Sequence, residues 1–111
     1  MQRDCTQINS ILQQARFAIA EGNTDFVPRP KNMKTLSKLG MMPSEIYEEI
    51  NDLVDRDWFR GPTPDRDSRC PDSVWEFKKF VSGKKLYIKF KIVKNENNLL
   101  RVLGFHFDGM K

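Results

Sequence analysis

Three side chains in the C-terminal third of this 111-residue chain, Glu76, Tyr87 and His106, could move protons beside a bound anion. Each lies in a stretch that alternates apolar and polar residues: VWEF, LYIKFKI and VLGFHF. Successive residues of a strand point to opposite faces. Let Trp75 and Phe77, then Leu86, Ile88, Phe90 and Ile92, then Leu103, Phe105 and Phe107 share an apolar face. Glu76, Tyr87, Lys89, Lys91 and His106 then share the opposite one, with Val102 and Gly104 beside His106. Gly104 has no side chain and so leaves space there. An imidazole with an unperturbed pKa of ~6.5 suits either direction of proton transfer near neutral pH. Each group also has a plainer reading. A lone His near a C-terminus suits an ordinary surface, and the Tyr87 ring could cover a sheet edge. Glu76 could pair with a cross-strand lysine for only ~0.2–1 kcal/mol.

The same segment is basic. Seven lysines fall between Lys78 and Lys94 with no acid among them. Residues 1–77 hold 10 Lys and Arg against 13 Asp and Glu, a balance of −3; residues 78–111 hold 9 against 2, a balance of +7. A field of one sign attracts polyanions, of which nucleic acid is the commonest. Lys78, Lys85, Lys89 and Lys91 are the candidate backbone contacts. The alternative is a sheet face made soluble by charge.

The positioning elements follow from periodicity. Ile8, Ile11, Leu12, Ala15, Ile19 and Ala20 predict an amphipathic helix over 5–21, stopped by Gly22-Asn23. Phe26-Val27 suits a short extended piece that Pro28 and Pro30 keep from a sheet centre. A helix over 31–39 would face Met33, Leu36 and Leu39 inward and end at Gly40. A third helix, opening at Pro43-Ser44, would bury Ile46, Ile50, Leu53 and Val54. The stretch DRDWFRGPTPDRDSRCPD reads as a long polar loop with Trp58-Phe59 tucked into the core. Strands over 73–81, 84–94 and 98–107 form the simplest antiparallel meander, turning at SGKK and NENN. The whole predicts one α+β domain over 1–111, N-terminal helices packed on a C-terminal antiparallel sheet. Cys5 and Cys70 stand apart with no zinc-ligand spacing. No apolar leader or membrane-length run is present, so the expected location is cytoplasmic.

The order of these features resembles the MqsR family of toxin–antitoxin toxins, small mRNA-cleaving ribonucleases related in fold to RelE. The residues that carry the resemblance run through DFVPRPKN, DRDWFRGP, VWEF, LYIKFKI and LGFHF. The resemblance implies a RelE-like fold and a site at Arg60, Glu76, Tyr87 and His106, where the best-known member has Lys, Gln, Tyr and Lys. It implies metal-independent endoribonuclease chemistry without a cofactor: 2′-OH attack on the adjacent phosphate, giving a 2′,3′-cyclic phosphate. Glu76 and His106 would exchange protons, Arg60 would grip phosphate in two-point fashion, and Tyr87 would donate to a phosphoryl oxygen or stack on a base. Lys78, Lys85, Lys89 and Lys91 would hold the RNA strand. The implied partners are mRNA and a cognate antitoxin, with no membrane; the free toxin would be a monomer and its antitoxin complex oligomeric. Two other classes remain: a non-catalytic module that binds RNA or DNA through the basic hairpin, and an inactive partner-binding scaffold.

Overall fold

A computed structural model of the protein describes residues 4–110; Arg3 and Lys111, counted in the charge balance, lie outside them. The first helix, α1, spans Cys5–Ala20, capped by the Asp4 carboxylate, which accepts from the Gln7 N–H at 3.1 Å. Its buried stripe is Ile8, Ile11, Leu12, Ala15 and Ala18, so Ala18 takes the inward place expected of Ala20. Strand β1 (Thr24–Phe26) follows, then α2 (Pro30–Leu39). Proline opens α2, where a missing N–H costs nothing, and Gly40 ends it in the left-handed conformation at φ 67°. A single tight turn at Pro43–Glu45 leads into α3 (Ile46–Asn51). That helix is shorter than its apolar pattern predicts, because Arg16 reaches across from α1 and donates to the carbonyls of Asn51 and Leu53. Leu53 stays buried, but Val54 turns outward.

Four longer strands complete the chain: β2 (Trp58–Thr63), β3 (Val74–Val81), β4 (Lys84–Val93) and β5 (Leu99–Phe107). The sheet order is β1-β5-β4-β3-β2. β1 runs parallel to β5, and the remaining pairs are antiparallel. The expected meander is therefore present as β3-β4-β5, but the sheet is mixed and five-stranded rather than three-stranded and antiparallel. The correction has a simple cause. β2 lies inside the stretch read as loop, where Gly61 and Pro62 interrupt the alternation. An outermost strand tolerates a proline because its outer N–H groups have no ladder partner.

The apolar alternation of β3 and β4 holds: Trp75, Phe77, Leu86, Ile88, Phe90 and Ile92 join one cluster with the inner faces of α1 and α3. Phe77 and Phe90 stack with nearly parallel rings, centres 5.4 Å apart. On β5 the alternation breaks. Lys89 pairs with Gly104, whereas the next residue, Phe90, pairs with Val102, which leaves Leu103 as an inserted bulge residue. Leu100 and Val102 consequently face the core together with Phe105, and Leu103 turns to the opposite side. The expected orientations of Val102 and Leu103 are exchanged. Gly104 and His106 keep theirs.

The buried face of α2 also differs from its apolar pattern. Asn32, Thr35 and Leu36 are buried, while Met33 is 40% exposed. Asn32 donates its side-chain amide to the carbonyls of Val27 and Leu103 and accepts the Phe105 N–H at 2.9 Å. Thr35 accepts the Phe107 N–H. β1 covers β5 only from Leu100 to Val102. Beyond it, two polar side chains of α2 occupy the place of a neighbouring strand and fix the segment that carries His106.

Candidate active site

The polar face of the sheet forms the floor of an open cleft of about 980 Å³. Its walls are the N-terminal turn of α2, with Arg29, Lys31 and Asn32, and the segment after β2, with Pro64, Asp65, Arg66 and Asp67. Arg60, Glu76, Tyr87, Lys89, Lys91 and His106 all line it. The four implied site residues thus come together from four adjacent strands. Lys78 and Lys85 do not line the cleft; they continue the same face beyond it.

Arg60 stands beside Glu76 because β2 lies close against β3. A Cβ on Gly61 would sit 2.8 Å from the Val74 carbonyl oxygen, so only glycine permits the approach, and its φ of 122° favours glycine as well. The Trp58 indole N–H donates to the Gly61 carbonyl at 3.1 Å and ties down the same turn. Trp58 packs against the core as expected, but its neighbour Phe59 is 43% exposed and not a core residue.

Glu76 is 4% exposed and fully engaged. Arg60 donates to both carboxylate oxygens, Nε to Oε2 at 2.8 Å and Nη2 to Oε1 at 3.0 Å, and the Tyr87 hydroxyl donates to Oε1. Burial alone would push the Glu76 carboxyl up. The hydrogen bonds from Arg60 and Tyr87, with the charges of Arg60 and Lys89, outweigh it and hold the carboxyl below its ordinary value. A carboxylate so stabilised and so occupied is a poor proton acceptor. Its role in this geometry is to orient Arg60 and Tyr87. Burial, and then the hydrogen bond and charge of Glu76, raise the Tyr87 pKa, so Tyr87 remains a phenol at neutral pH.

His106 packs its ring against that of Tyr87, centres 5.1 Å apart and tilted by 38°. Its Nδ1 lies 3.0 Å from the Phe107 carbonyl oxygen. A carbonyl only accepts, so Nδ1 carries a proton, and in the neutral ring Nε2 holds the available lone pair. A Cβ on Gly104 would fill the gap between Lys89, Tyr87 and His106, at 3.4 Å from Lys89 Cβ and 3.7 Å from His106 Cδ2. The glycine therefore keeps the space beside the imidazole open.

The lysines divide. Lys91 is 7% exposed, and its ammonium is 2.8 Å from Asp65 Oδ2. Lys78 pairs with Asp108 at 3.1 Å. Lys89 forms no ion pair among the described residues. Burial pushes its pKa down, and the charges of Arg66 and Arg29 add to the effect against the opposing pull of Glu76. Of the four lysines expected to contact RNA, Lys91 and Lys78 are thus engaged in ion pairs within the fold. Sequence reasoning missed Asp65, Arg29 and Arg66. Nothing in the strand alternation points to them, although the basic residues of DFVPRPKN and PDRD were visible.

Among the described residues, no group of three His, Cys, Asp or Glu side chains could hold a metal ion, and no helix is long and apolar enough to cross a membrane. No family model matches the chain, and no curated protein matches it.

Proposed function

We propose that the protein is a metal-independent endoribonuclease, the toxin of a toxin–antitoxin pair with the RelE-related fold of the MqsR family. The observation that carries this reading is that His106 Nε2 and the Lys89 ammonium, neither with a hydrogen-bond or ion-pair partner among the described residues, line one cleft rimmed by arginines. His106 Nε2 takes the proton of a 2′-hydroxyl, whose oxygen forms a bond to the adjacent phosphorus. The phosphorus–5′-oxygen bond breaks, and the departing oxygen takes a proton from the Lys89 ammonium, whose lowered pKa eases the transfer. Arg60, held in plane by Glu76, and the neighbouring Arg29 and Arg66 stabilise the charge on the pentavalent phosphorus. The products are a 2′,3′-cyclic phosphate and a 5′-hydroxyl. The cell would hold this activity in check with a cognate antitoxin in the cytoplasm.

The test is purified protein mixed with single-stranded RNA in EDTA. Fragments ending in 2′,3′-cyclic phosphate are expected, and induced expression without the antitoxin should arrest growth as transcripts disappear. RNA that is bound yet intact would replace this reading with that of a binding module. RNA neither bound nor cut would leave a scaffold.

A further inference from the structure

Beyond the cleft, the same sheet face carries two phenylalanines that the fold does not need there. Phe77, Phe90 and Phe105 are fully buried, whereas Phe80 is 69% exposed and Phe59 remains substantially open. Both open rings are set among cations. The Lys78 ammonium lies 3.9 Å above the Phe59 ring, and the Arg60 guanidinium lies 5.2 Å from its centre. Phe80 is directly opposite Lys85, which is itself exposed. Lys78 and Phe80 are two residues apart on β3 and share a face, so Phe59, Lys78 and Phe80 form one continuous ridge leading away from Arg60.

We propose that this ridge is a stacking platform for two unpaired bases of the RNA strand as it leaves the cleft, with the exposed Lys85 on the intervening phosphate and Lys78, paired with Asp108, holding the Phe59 ring in place. The proposal rests on the reading that the cleft takes RNA, and it adds a substrate requirement: the strand must be single on that side. Exposed aromatic rings alternating with cations match an unpaired strand, because each base offers a flat face and each phosphate a charge. An apolar protein partner would instead have to desolvate the exposed Lys85 charge without neutralising it.

The test uses fluorescence anisotropy with a mixed-sequence, 2′-O-methyl 12-mer, which binds without being cut, and the full chain. Phe59→Ala and Phe80→Ala should each weaken binding roughly 5- to 100-fold, the range for loss of one base–aromatic stack. Phe59→Tyr and Phe80→Tyr should restore most of it. The salt dependence should not change in the Phe variants, since no phosphate contact is lost, whereas Lys85→Ala should flatten it. The 12-mer annealed to its complement should bind more weakly than the single strand. Circular dichroism and urea melting should match the parent, as both rings are surface residues. If the parent binds the single strand and the Phe59→Ala, Phe80→Ala double variant binds it equally well, the platform is refuted while the cleft's function stands. If the parent neither binds nor cuts RNA, both readings fall together.

Discussion

Lys89 and Lys91 stand two residues apart on β4, project from the same face and line the same cleft, yet their surroundings are opposite. Lys91 is capped by Asp65, whose other carboxylate oxygen accepts the Asp67 N–H, so the ammonium sits inside a local knot that fastens the segment after β2 to the sheet. The hydrogen bond from Lys91 and that backbone N–H hold Asp65 below the ordinary carboxylate range. Lys89 has Gly104 on one side, Glu76 already claimed by Arg60 on the other, and two arginines nearby. Lys91 spends its charge on a direct ion pair, whereas Lys89 forms none among the described residues. Basic composition alone does not separate the two uses. The position of a single carboxylate does.

The largest effect should come from the open half. His106→Ala is expected to lower cleavage by about 10²–10⁴-fold under single-turnover conditions, the usual loss for one proton-transfer group. A parent-like rate would make His106 a surface residue and erase the chemical meaning of the contrast. Next comes the closed half. Lys91→Met leaves the half-buried Asp65 carboxylate with the Asp67 N–H but without its ammonium, and should cost about 1–3 kcal/mol of stability in urea unfolding. Unchanged stability with weakened RNA binding would mean that Lys91 belongs with Lys89 after all.

The Arg60–Glu76 pair sits between the two halves and should show itself in acid. A carboxylate with a depressed native pKa contributes stability that is present above its ordinary value of 4.5 and lost as pH falls towards the native one. Glu76→Gln should remove about 1–3 kcal/mol at neutral pH and flatten that acid limb. An acid limb that survives the substitution would assign it to Asp65 instead. The smallest effect is also the most discriminating. On uncleavable RNA, Lys89→Met should reduce the slope of log affinity against log salt by about 1, while Lys91→Met should leave it unchanged. Equal slopes for the two variants would dissolve the distinction.

The three central strands were legible in the sequence because period-2 alternation over eight or more residues has few competing readings. Their polar face followed, so Glu76, Tyr87 and His106 were placed together correctly. What escaped were features in which apolar and polar types do not mark direction. Val102 and Leu103 are both apolar, so the pattern fits either residue inward and hides the bulge. Asn32 and Thr35 are polar but buried, because the backbone of β5 offers them hydrogen bonds that only the folded chain supplies. β2 was masked by Gly61 and Pro62, the very residues that let it lie close at an edge. Asp65 meets Lys91 across 26 positions of chain, a pairing that no local spacing encodes.

The Asn32 clamp bears on how this molecule can associate. A sheet usually ends in a backbone ladder that another chain can extend. Here the far half of β5 already has that ladder satisfied by a helix, and β1 beside it is only three residues long. At the opposite border, Pro62 has no N–H to offer. An incoming strand would therefore find neither border ready to zip onto. Lateral growth of the sheet into oligomers or fibres is disfavoured at both borders.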